Sequence, residues 1–502
     1  MTTDECYVLI RHSLTRHSSL AHSTFKKMEH FINNQRHTPD SGQYIEVINP
    51  CTAEVVGTCA RGNTADVHAA LTSAGAAFQT WKKQPAAHRV KLQHEAARLM
   101  RLYSYEIADM LARELGRPLA GCIHEISRSA DLLDFYAEEA LRMKGEIPLH
   151  NLEGEKALVV RQPIGVVVAI TPFNYPITLL CMKIGAALPM GCTVVAKPSE
   201  DTPLSTLRLA EIFKEAGYPE GVFNVITGYG HEIGNALVEH PITSKIAFTG
   251  GTNTGKRIGA LAAAHNKRVT LELGGQSPVI VCEEADLSVA CPAIVKHAFA
   301  NSGQFCYRVN RVYVHQNVYE AFVEKITALA NRLKVGDPFS NSDMGPMVNR
   351  KIYQNSEVQV ADALQKGGTV KTGGSRLTGE DYDKGWFFPP TIIADTNHSM
   401  KIMTEETFGP VIGVMKFSTN EEAVALGNDS EYGLAAYVFS GQLGTGLRMA
   451  EELEAGSVWV NNIHRSYQDV PFGGVKQSGI GREKGRYGLE AYTELKTIYL
   501  NY

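Results

Sequence analysis

Three side chains in this sequence have the types that covalent catalysis at a carbonyl carbon requires. Cys306 closes a Gly-Gln-Phe-Cys segment, Glu272 closes an apolar run, and Asn174 lies in a Thr-Pro-Phe-Asn-Tyr-Pro segment. A thiol can attack the carbonyl carbon, an amide can hold the oxyanion, and a carboxylate can activate water. A single cysteine is usually structural, but the polar loop around Cys306 favours a nucleophile. The three residues together predict an enzyme that works through a thioacyl intermediate.

The elements that must position these residues alternate between short apolar runs and amphipathic segments. The apolar runs predict strands at 165–170, 193–196, 222–226, 245–248 and 269–273. The segments between them predict helices at 176–188, 203–216, 231–239 and 255–264. Short apolar strands with helical crossovers are typical of a parallel, doubly wound α/β sheet.

Two further regions flank this alternating stretch. Apolar residues spaced three and four apart predict helices at 65–81, 89–111 and 131–143. After the first sheet, a second α/β stretch carries the Cys306 loop, with strands predicted at 279–281, 311–315, 411–417, 435–439 and 457–460 and helices at 286–300 and 318–333. The segment 145–161 is polar and extended, and we expect it to form an excursion that pairs with another subunit.

The polar and glycine motifs of the first stretch fall just after its predicted strands. Asn174 follows the first strand, Lys197 and Glu200 the second, Gly230 the third, Gly250 and Gly251 the fourth, and Glu272 ends the fifth. Ligands of doubly wound sheets bind beyond the carboxyl ends of the strands. The coincidence of five such placements predicts a binding site along this edge.

Lys197 and Glu200 suggest a nucleotide-binding role for the loop after the second strand. A carboxylate there can accept hydrogen bonds from both hydroxyls of an adenosine ribose, and it would repel a 2′-phosphate. This favours NAD over NADP. A solvated loop charge is the alternative interpretation.

The segment 249–256 contains most of a phosphate-binding loop, with glycines at 250, 251 and 255 followed by a lysine. Arg257 stands where Ser or Thr should ligate magnesium, which disfavours a nucleoside triphosphatase. The glycines still let a backbone approach a pyrophosphate at a helix amino terminus. Because no G-x-G-x-x-G follows the first strand, a dinucleotide must bind in another way than in an ordinary Rossmann domain.

Glu406 and Phe408 combine an acid and an aromatic residue in a Glu-Thr-Phe-Gly-Pro turn. The carboxylate could hold a ribose, and the ring could pack against a nicotinamide. An ordinary turn at the entry to a strand is the alternative for this motif in isolation.

Composition restricts the classes of function that remain. The chain has 502 residues, 44% of them hydrophobic, with a net charge of −4, which predicts two or more domains and disfavours nucleic acid as a partner. The apolar run 177–196 is interrupted by Lys183, Pro189 and Gly191, so a membrane span is not expected. The nine cysteines are scattered without a CxxC pair, which favours reduced thiols in the cytoplasm over disulfides or a metal site.

Taken together, these motifs resemble the NAD(P)-dependent aldehyde dehydrogenase superfamily from about Met28 to the carboxyl terminus. The most specific matches are Leu-Glu-Leu-Gly-Gly at 271–275, Gly-Gln-x-Cys at 303–306, Glu-x-Phe-Gly-Pro at 406–410 and Pro-Phe-Gly-Gly-Val-Lys-Gln-Ser-Gly at 471–479. The resemblance implies a Rossmann-type parallel-sheet cofactor domain, an α/β catalytic domain and a small β oligomerisation excursion. The divisions that the resemblance implies are a cofactor domain at 28–143 and 162–273, a catalytic domain at 274–480, and oligomerisation segments at 144–161 and 481–502. Residues 1–27 contain only two acids, Asp4 and Glu5, and we expect a disordered tail or a start codon placed too early, with a transit peptide as the alternative. Homodimers or homotetramers are usual in the superfamily.

The same resemblance assigns a role to each matching residue. Cys306 would form a thiohemiacetal and then a thioester, its backbone N–H and the Asn174 amide would hold the oxyanion, and Glu272 would activate water. The residues expected to bind the cofactor are Thr171, Pro172, Phe173, Lys197, Glu200, Gly230, Thr249, Gly250, Gly251, Leu273, Glu406 and Phe408. Because Glu272 is present, release of a free acid is favoured over transfer to coenzyme A.

For the substrate, the sequence is similar to the succinate-semialdehyde and lactaldehyde dehydrogenase branches. Succinate-semialdehyde enzymes usually carry arginines where this chain has Met182 and Ala300, which argues against that substrate. The polar residues left to line the pocket are Tyr307, His464, Arg465, Tyr467 and Gln468, of which Tyr307, Arg465 and Gln468 are our substrate-site candidates. We expect the substrate to be a short polar aldehyde, which would be anionic if Arg465 binds it. Lactaldehyde, sulfolactaldehyde and semialdehydes all meet this description. The alternative for Arg465 is a solvated residue. The alternatives for the protein are a succinate-semialdehyde dehydrogenase proper, a coenzyme A-acylating relative and a non-catalytic protein with this fold.

Overall fold

A computed structural model describes residues 27–149, 153–463 and 467–502. The strands are β1 (His30–Ile32), β2 (Gln35–His37), β3 (Tyr44–Ile48), β4 (Val55–Ala60), β5 (Glu155–Pro163), β6 (Val166–Ile170), β7 (Thr193–Lys197), β8 (Phe223–Val225), β9 (Thr243–Thr249), β10 (Arg268–Glu272), β11 (Ser277–Val281), β12 (Val309–His315), β13 (Thr369–Thr372), β14 (Thr391–Ala394), β15 (Val411–Phe417), β16 (Tyr432–Gly433), β17 (Ala435–Phe439), β18 (Ser457–Val460), β19 (Val475–Lys476), β20 (Gly479–Ile480) and β21 (Thr493–Asn501).

The helices of the same ranges divide into a group before the first sheet and crossovers between strands. They are α1 (Thr64–Trp81), α2 (Ala86–Leu102), α3 (Ser104–Leu115), α4 (Leu119–Arg142), α5 (Pro176–Ala187), α6 (Leu204–Glu215), α7 (Gly230–Glu239), α8 (Thr252–Ala264), α9 (Leu287–Phe299), α10 (Tyr319–Ala330), α11 (Arg350–Gln365), α12 (Lys401–Thr404), α13 (Asn420–Asn428), α14 (Leu443–Glu452) and α15 (Gly485–Glu490). None of these helices is long and apolar enough to cross a membrane.

The first sheet has eight strands in the order β2-β1-β8-β7-β6-β9-β10-β20. Its five central strands run parallel, as the sequence predicted, while β1 and β20 pair antiparallel at opposite ends of this block. Alternate residues of β6 enter different apolar cores, Val167 on one face and Val168 on the other, because side chains alternate along a strand. Helices on both faces therefore cover the sheet and leave its carboxyl edge for ligands.

The helical region before this sheet differs from the sequence prediction in two places. One helix predicted over 89–111 is two helices, since Tyr103 between α2 and α3 leaves helical geometry at φ −94° and ψ 14°. The helix predicted over 131–143 begins at Leu119, because Cys122, Ile126 and Ala130 continue the buried face toward the amino terminus.

The second sheet has seven strands in the order β13-β14-β15-β12-β11-β17-β18. The strands predicted at 411–417, 435–439 and 457–460 have the predicted bounds. The chain passes from α9 through a short turn and the Cys306 loop into β12, so the nucleophile lies at the start of a central strand.

A third, two-stranded unit lies outside both sheets. β5 pairs antiparallel with β21 along its whole length, from Pro163 against Thr493 to Glu155 against Asn501. Strand β5 starts at Glu155 inside the predicted oligomerisation segment 144–161 and extends two residues beyond it to Pro163, while β21 lies within the predicted segment 481–502. Strand β20 lies in the predicted catalytic segment 274–480 but adds to the first sheet. The division into domains stays a prediction, and the tail predicted over 1–27 lies outside the described residues except for Lys27.

Candidate active site

The Cys306 loop is held by an unusual backbone. Asn301, Ser302 and Gly303 occupy the left-handed region in succession, with φ of 48°, 55° and 71°. Only glycine adopts this region readily, so neighbouring contacts must stabilise the other two residues. The Asn301 amide Nδ2 donates to the Asn174 carbonyl at 3.1 Å, and Ser302 Oγ donates to the Gly345 carbonyl at 2.8 Å. The loop is therefore fixed from both sheets.

Asn174 and the nucleophile loop contact each other directly. Asn174 Nδ2 donates to the carbonyl of Gln304 at 3.0 Å, and the Asn174 side chain is only 3% exposed. Its Oδ1 has no hydrogen-bond partner in the part of the chain that the structure describes. An amide nitrogen carries two hydrogens, so the second remains available for an oxyanion beside Cys306.

The start of helix α5 explains why Asn174 is held so firmly. The Glu125 carboxylate accepts hydrogen bonds from the backbone N–H groups of Ile177 and Thr178 at 3.0 Å each, which caps the helix. Arg117 pairs with Glu125 and lies 4.6 Å over the Tyr175 ring. Both charged residues come from the region before the first sheet, and no local motif indicated their role.

Glu272 ends β10 and points into the same cleft. It is 4% exposed, and neither of its carboxylate oxygens has a partner among the described residues. Its Oε1 lies 2.6 Å from the position that a Cβ would take at Gly473, so only glycine fits there. Burial first and Glu483 second raise the pKa of Glu272 well above its usual value. A carboxyl group with a raised pKa suits a general base near neutral pH.

The Cys306 thiol shares this environment. Burial raises its pKa well above the ordinary value, and the carboxylates of Glu272 and Glu406 add to the effect. The thiol is consequently protonated at neutral pH in this arrangement, and its reaction requires loss of the proton.

A buried ion pair behind Glu272 was missed by the sequence analysis. Lys183 Nζ lies 2.6 Å from Glu483 Oε1, and the two side chains are 0% and 3% exposed. Lys183 also donates to Thr249 Oγ1 at 2.7 Å. The sequence contained one indication of this ion pair, the charged Lys183 inside the apolar segment 176–188, because a buried lysine needs a partner.

The residues predicted to bind ribose lie together beyond β7. Lys197 is buried, its Nζ is 3.6 Å from a carboxylate oxygen of Glu200, and the Glu200 side chain is 38% exposed. The Thr171 N–H donates to the Lys197 carbonyl at 3.1 Å, which joins this loop to the Asn174 loop. The Glu200 carboxylate, next to the buried ammonium group of Lys197, can accept hydrogen bonds from the hydroxyl groups of a ligand.

The residues predicted to meet a pyrophosphate lie at two helix amino termini. Helix α7 begins at Gly230 and α8 follows Gly251, and a Cβ added at either glycine would meet no described atom within 4 Å. The Gly250 N–H donates to the Glu272 carbonyl at 3.0 Å, which connects this edge to the general base. Open backbone at helix amino termini suits a phosphate group.

The residues predicted at the nicotinamide end border the cleft. Glu406 Oε1 accepts a hydrogen bond from the Gly275 N–H at 3.0 Å, and burial raises the pKa of Glu406 to about 7. Phe408, at φ 50°, meets the Phe173 ring edge-on at 5.7 Å between centroids. Leu273 is buried and its N–H donates to the Ser478 carbonyl at 2.9 Å, while Pro172 is half-buried. Glu406 and Phe408 thus reach the carboxyl edge of the first sheet from the turn before β15.

The sequence model of the aldehyde dehydrogenase family matches residues 37–498. The chain belongs to the aldehyde dehydrogenase family. Succinate-semialdehyde dehydrogenase, mitochondrial, of Arabidopsis thaliana is 41% identical over 91% of this chain and 86% of that protein. The 3-sulfolactaldehyde dehydrogenase of Pseudomonas putida is 38% identical over 94% of this chain and 97% of that protein. The crystal structure of an E. coli NADP-dependent enzyme is similar at a TM-score of 0.93 and 37% identity, covering 96% of this chain and 99% of that one.

The protein is therefore an NAD(P)-dependent aldehyde dehydrogenase, and the predicted fold class and family are confirmed. Tyr307 packs edge-on against Phe305 at 5.0 Å and Phe472 at 5.5 Å, beside the nucleophile. Gln468 is half-buried and its carbonyl accepts from the Gly485 N–H at 2.8 Å, whereas Tyr467 is 56% exposed. The predictions for His464 and Arg465 lie outside the described residues.

Proposed function

We propose that this dehydrogenase oxidises a short polar aldehyde, carrying an anionic group, to the carboxylic acid with NAD. The contact that carries the proposal is the hydrogen bond from Asn174 Nδ2 to the Gln304 carbonyl, because it brings the oxyanion donor to the nucleophile loop. Glu272, buried in the same cleft with both oxygens unpartnered among the described residues, supplies the base.

In the proposed mechanism, the Cys306 thiol gives its proton to water, and the sulfur then attacks the carbonyl carbon and forms a thiohemiacetal. The second hydrogen of Asn174 Nδ2 and the Cys306 N–H stabilise the oxyanion. Bound NAD supplies the acceptor for the hydride that leaves this carbon, and the product on Cys306 is a thioester. Glu272 then takes a proton from water, the resulting hydroxide attacks the thioester, and the acid leaves as the thiol is restored.

The arrangement of the cofactor edge supports a dinucleotide that lies along it. Glu200 would accept hydrogen bonds from the adenosine ribose, the backbone at Gly230 and Gly251 would face the pyrophosphate, and Glu406 and Phe408 would hold the nicotinamide end. The preference for NAD rests on Glu200, whose exposed carboxylate would repel a 2′-phosphate.

The substrate class is supported by the names of similar proteins and by the polar groups near Cys306. The two curated relatives described above act on succinate semialdehyde and 3-sulfolactaldehyde, which are both short anionic aldehydes. Met182 and Ala300 offer no cation for the anion, so the anchor must come from elsewhere; Arg465 stays a candidate. Glu272 favours release of the free acid over transfer to coenzyme A.

Assembly and location complete the proposal. The β5–β21 ribbon exposes large apolar side chains, including Leu495 at 61% and Tyr499 at 81% of their surface. A second copy that covers this ribbon would remove them from water, which supports a homodimer or homotetramer. The cysteines of the described residues are all free thiols, which supports a cytoplasmic enzyme.

The decisive experiment compares the wild-type enzyme with Cys306→Ala. We expect the wild type to reduce NAD with short anionic aldehydes, and the variant to lose at least about 10⁴-fold of that rate because no thioester can form. Cys291→Ala, a buried thiol of α9, is the matched control and should retain activity. A thioester trapped by mass spectrometry on Cys306 would support the proposal; undiminished turnover in Cys306→Ala would overturn it.

A further inference from the structure

Helix α11 begins beside both the cofactor edge and the nucleophile loop, and the sequence analysis gave it no role. Asn349 stands immediately before this helix, and its Oδ1 accepts a hydrogen bond from the Ile352 N–H at 3.1 Å. This contact is an ordinary amino-terminal cap. Because the side-chain amide also carries two N–H hydrogens, the same residue can make a second contact outside the helix.

The second contact joins α11 to the loop that carries Glu200. Asn349 Nδ2 donates to a carboxylate oxygen of Asp201 at 3.1 Å. Burial first, and the charge of Glu200 second, raise the pKa of Asp201 to about 6. Because this value is still below neutral pH, the acceptor is a charged carboxylate, which strengthens a hydrogen bond from an amide. Asn349 thus connects α11 to the loop predicted to bind the adenosine ribose.

The backbone just before α11 also holds the nucleophile loop. The Val348 N–H donates to Gln304 Oε1 at 2.9 Å, and Gln304 is only 1% exposed. The Gln304 carbonyl in turn accepts hydrogen bonds from Asn174 Nδ2 at 3.0 Å and from Asn301 Nδ2 at 3.4 Å. The position of this carbonyl therefore determines where the oxyanion donor lies relative to the nucleophile.

The body of α11 contacts the turn predicted to hold the nicotinamide end. Asn355 Nδ2 donates to the Thr407 carbonyl at 3.0 Å, and Thr407 Oγ1 donates to Gln359 Oε1 at 2.8 Å. Thr407 lies between Glu406 and Phe408 in the sequence. One helix and its cap thus form hydrogen bonds with the ribose loop, the nucleophile loop and the nicotinamide turn. Rigid elements with such hydrogen bonds can carry energetic coupling between sites.

We propose that Asn349 is a positioning residue, which couples occupancy of the adenosine-ribose site to the position of the nucleophile loop. A ribose bound at Glu200 would restrain the neighbouring Asp201, and the hydrogen bond from Asn349 would pass that restraint to α11. The backbone before α11 would then hold Gln304, and with it the oxyanion donor. The inference rests on the proposed function, since it assumes that the dinucleotide binds along this edge. Asn349 lies between the two regions, so its loss should lower kcat.

A reciprocal exchange of the two side chains tests the contact. Asn349→Asp keeps an oxygen that caps α11 but places a second carboxylate against Asp201, so we expect kcat to fall about 10- to 100-fold as the nucleophile loop shifts. In Asp201→Asn the amide oxygen can still accept from Asn349, and kcat should stay within about 3-fold of the wild type. The double variant restores the hydrogen bond in the opposite direction, from position 201 to position 349, and should recover kcat to within about 3-fold. The cap is kept in all three variants, so their melting temperatures should not change.

Asn63→Asp is the matched control for the chemical change. Asn63 also caps a helix, α1, and its Nδ2 donates to the Asp40 carboxylate at 2.9 Å. We expect Asn63→Asp to leave kcat unchanged, because the same exchange is made at a different helix. If Asn349→Asp does not fold, Asp201→Ala breaks the contact from the other side, leaves the cap of α11 in place and should lower kcat by a similar factor.

Alkylation of Cys306 by iodoacetamide, located by mass spectrometry, measures the coupling without turnover. AMP carries the adenosine ribose but lacks the nicotinamide end, and we would add it at a concentration that saturates binding by calorimetry. It should change the alkylation rate of the wild type at least about 3-fold, that of Asn349→Asp by less than about 1.5-fold, and that of the double variant again about 3-fold.

Two results would overturn the inference while the proposed function stands. They are an alkylation rate that bound AMP does not alter in a wild-type enzyme active with NAD and anionic aldehydes, and a loss of kcat in Asn349→Asp that the double variant does not recover. An unchanged kcat in Asn349→Asp would have the same meaning. If the wild type oxidises no aldehyde, the proposed function itself fails; if AMP does not bind, the ribose site on which both proposals depend is absent.

Discussion

The catalytic cleft and the cofactor edge lie beside each other, yet they treat polar groups in opposite ways. In the cleft, Asn174 and Glu272 are buried and retain oxygens without partners among the described residues. Along the edge, Glu200 is partly exposed and paired with Lys197, and Gly230 and Gly251 present backbone to open space. The candidate reactive groups thus lie in a low-dielectric environment, while the groups that would face the ribose and the pyrophosphate remain accessible.

This difference follows from what each region must do. Burial raises the pKa of Glu272, which makes its carboxylate a stronger base, and it raises the pKa of Cys306, so that the thiol must lose a proton before it attacks. Binding of a charged dinucleotide instead requires polar groups whose hydrogen bonds are already satisfied. Such groups can exchange water for the ligand at little cost in free energy. Substitutions in the cleft should therefore change kcat, and substitutions at the edge should change KM.

After removal of the Cys306 thiol, the largest effect should come from Glu272→Gln. We expect steady-state turnover to fall about 10²- to 10³-fold, because water is no longer activated. One equivalent of reduced cofactor should still form in a rapid burst, since thioester formation does not need this base. Stopped-flow absorbance measures both phases.

The pH dependence sharpens this prediction. Because the pKa of Glu272 is raised, its basic form accumulates at higher pH than for an ordinary carboxyl group, and wild-type deacylation should rise with pH in that range. In Glu272→Gln this rise should disappear. Loss of the burst along with turnover would contradict the assigned role.

A pair of glycines tests the contrast between the two regions directly. A Cβ at Gly275 would overlap the carbonyl oxygen of Cys306, whereas a Cβ at Gly251 would meet no described atom within 4 Å. We expect Gly275→Ala to lower kcat about 10- to 100-fold by displacing the nucleophile. Gly251→Ala should leave kcat and the melting temperature unchanged and raise KM for the cofactor. Identical kinetic changes in the two variants would mean that the regions are not distinct.

The smallest effect is expected at the ribose end. Glu200→Gln removes the charge that would repel a 2′-phosphate, so the ratio of kcat/KM for NAD to that for NADP should fall about 10-fold. Glu46→Gln, an exposed carboxylate of β3, serves as the matched control. An unchanged ratio would contradict the proposed preference for NAD.

Much of the fold could be predicted from apolar periodicity. The strands at 411–417, 435–439 and 457–460 have the predicted bounds, because β-branched and aromatic residues are concentrated there and polar residues end them. The boundary between α2 and α3 could not be predicted, since Tyr103 leaves helical geometry where no proline or glycine breaks the sequence pattern. Helix α8 begins at Thr252, three residues before its predicted start, since Gly251 precedes its first turn.

The sequence by itself determined the family and the candidate groups for its chemistry: a thiol, an amide and a carboxylate in recognisable segments, and a row of motifs that end parallel strands. Only the tertiary structure decided which distant charges support them. Glu125 caps the helix after Asn174, and Lys183 and Glu483 pair behind Glu272. A local sequence pattern indicates the backbone conformation of a segment and the periodicity with which its residues are buried. The pairing of buried charges depends on which elements pack together, and that is decided by the fold as a whole.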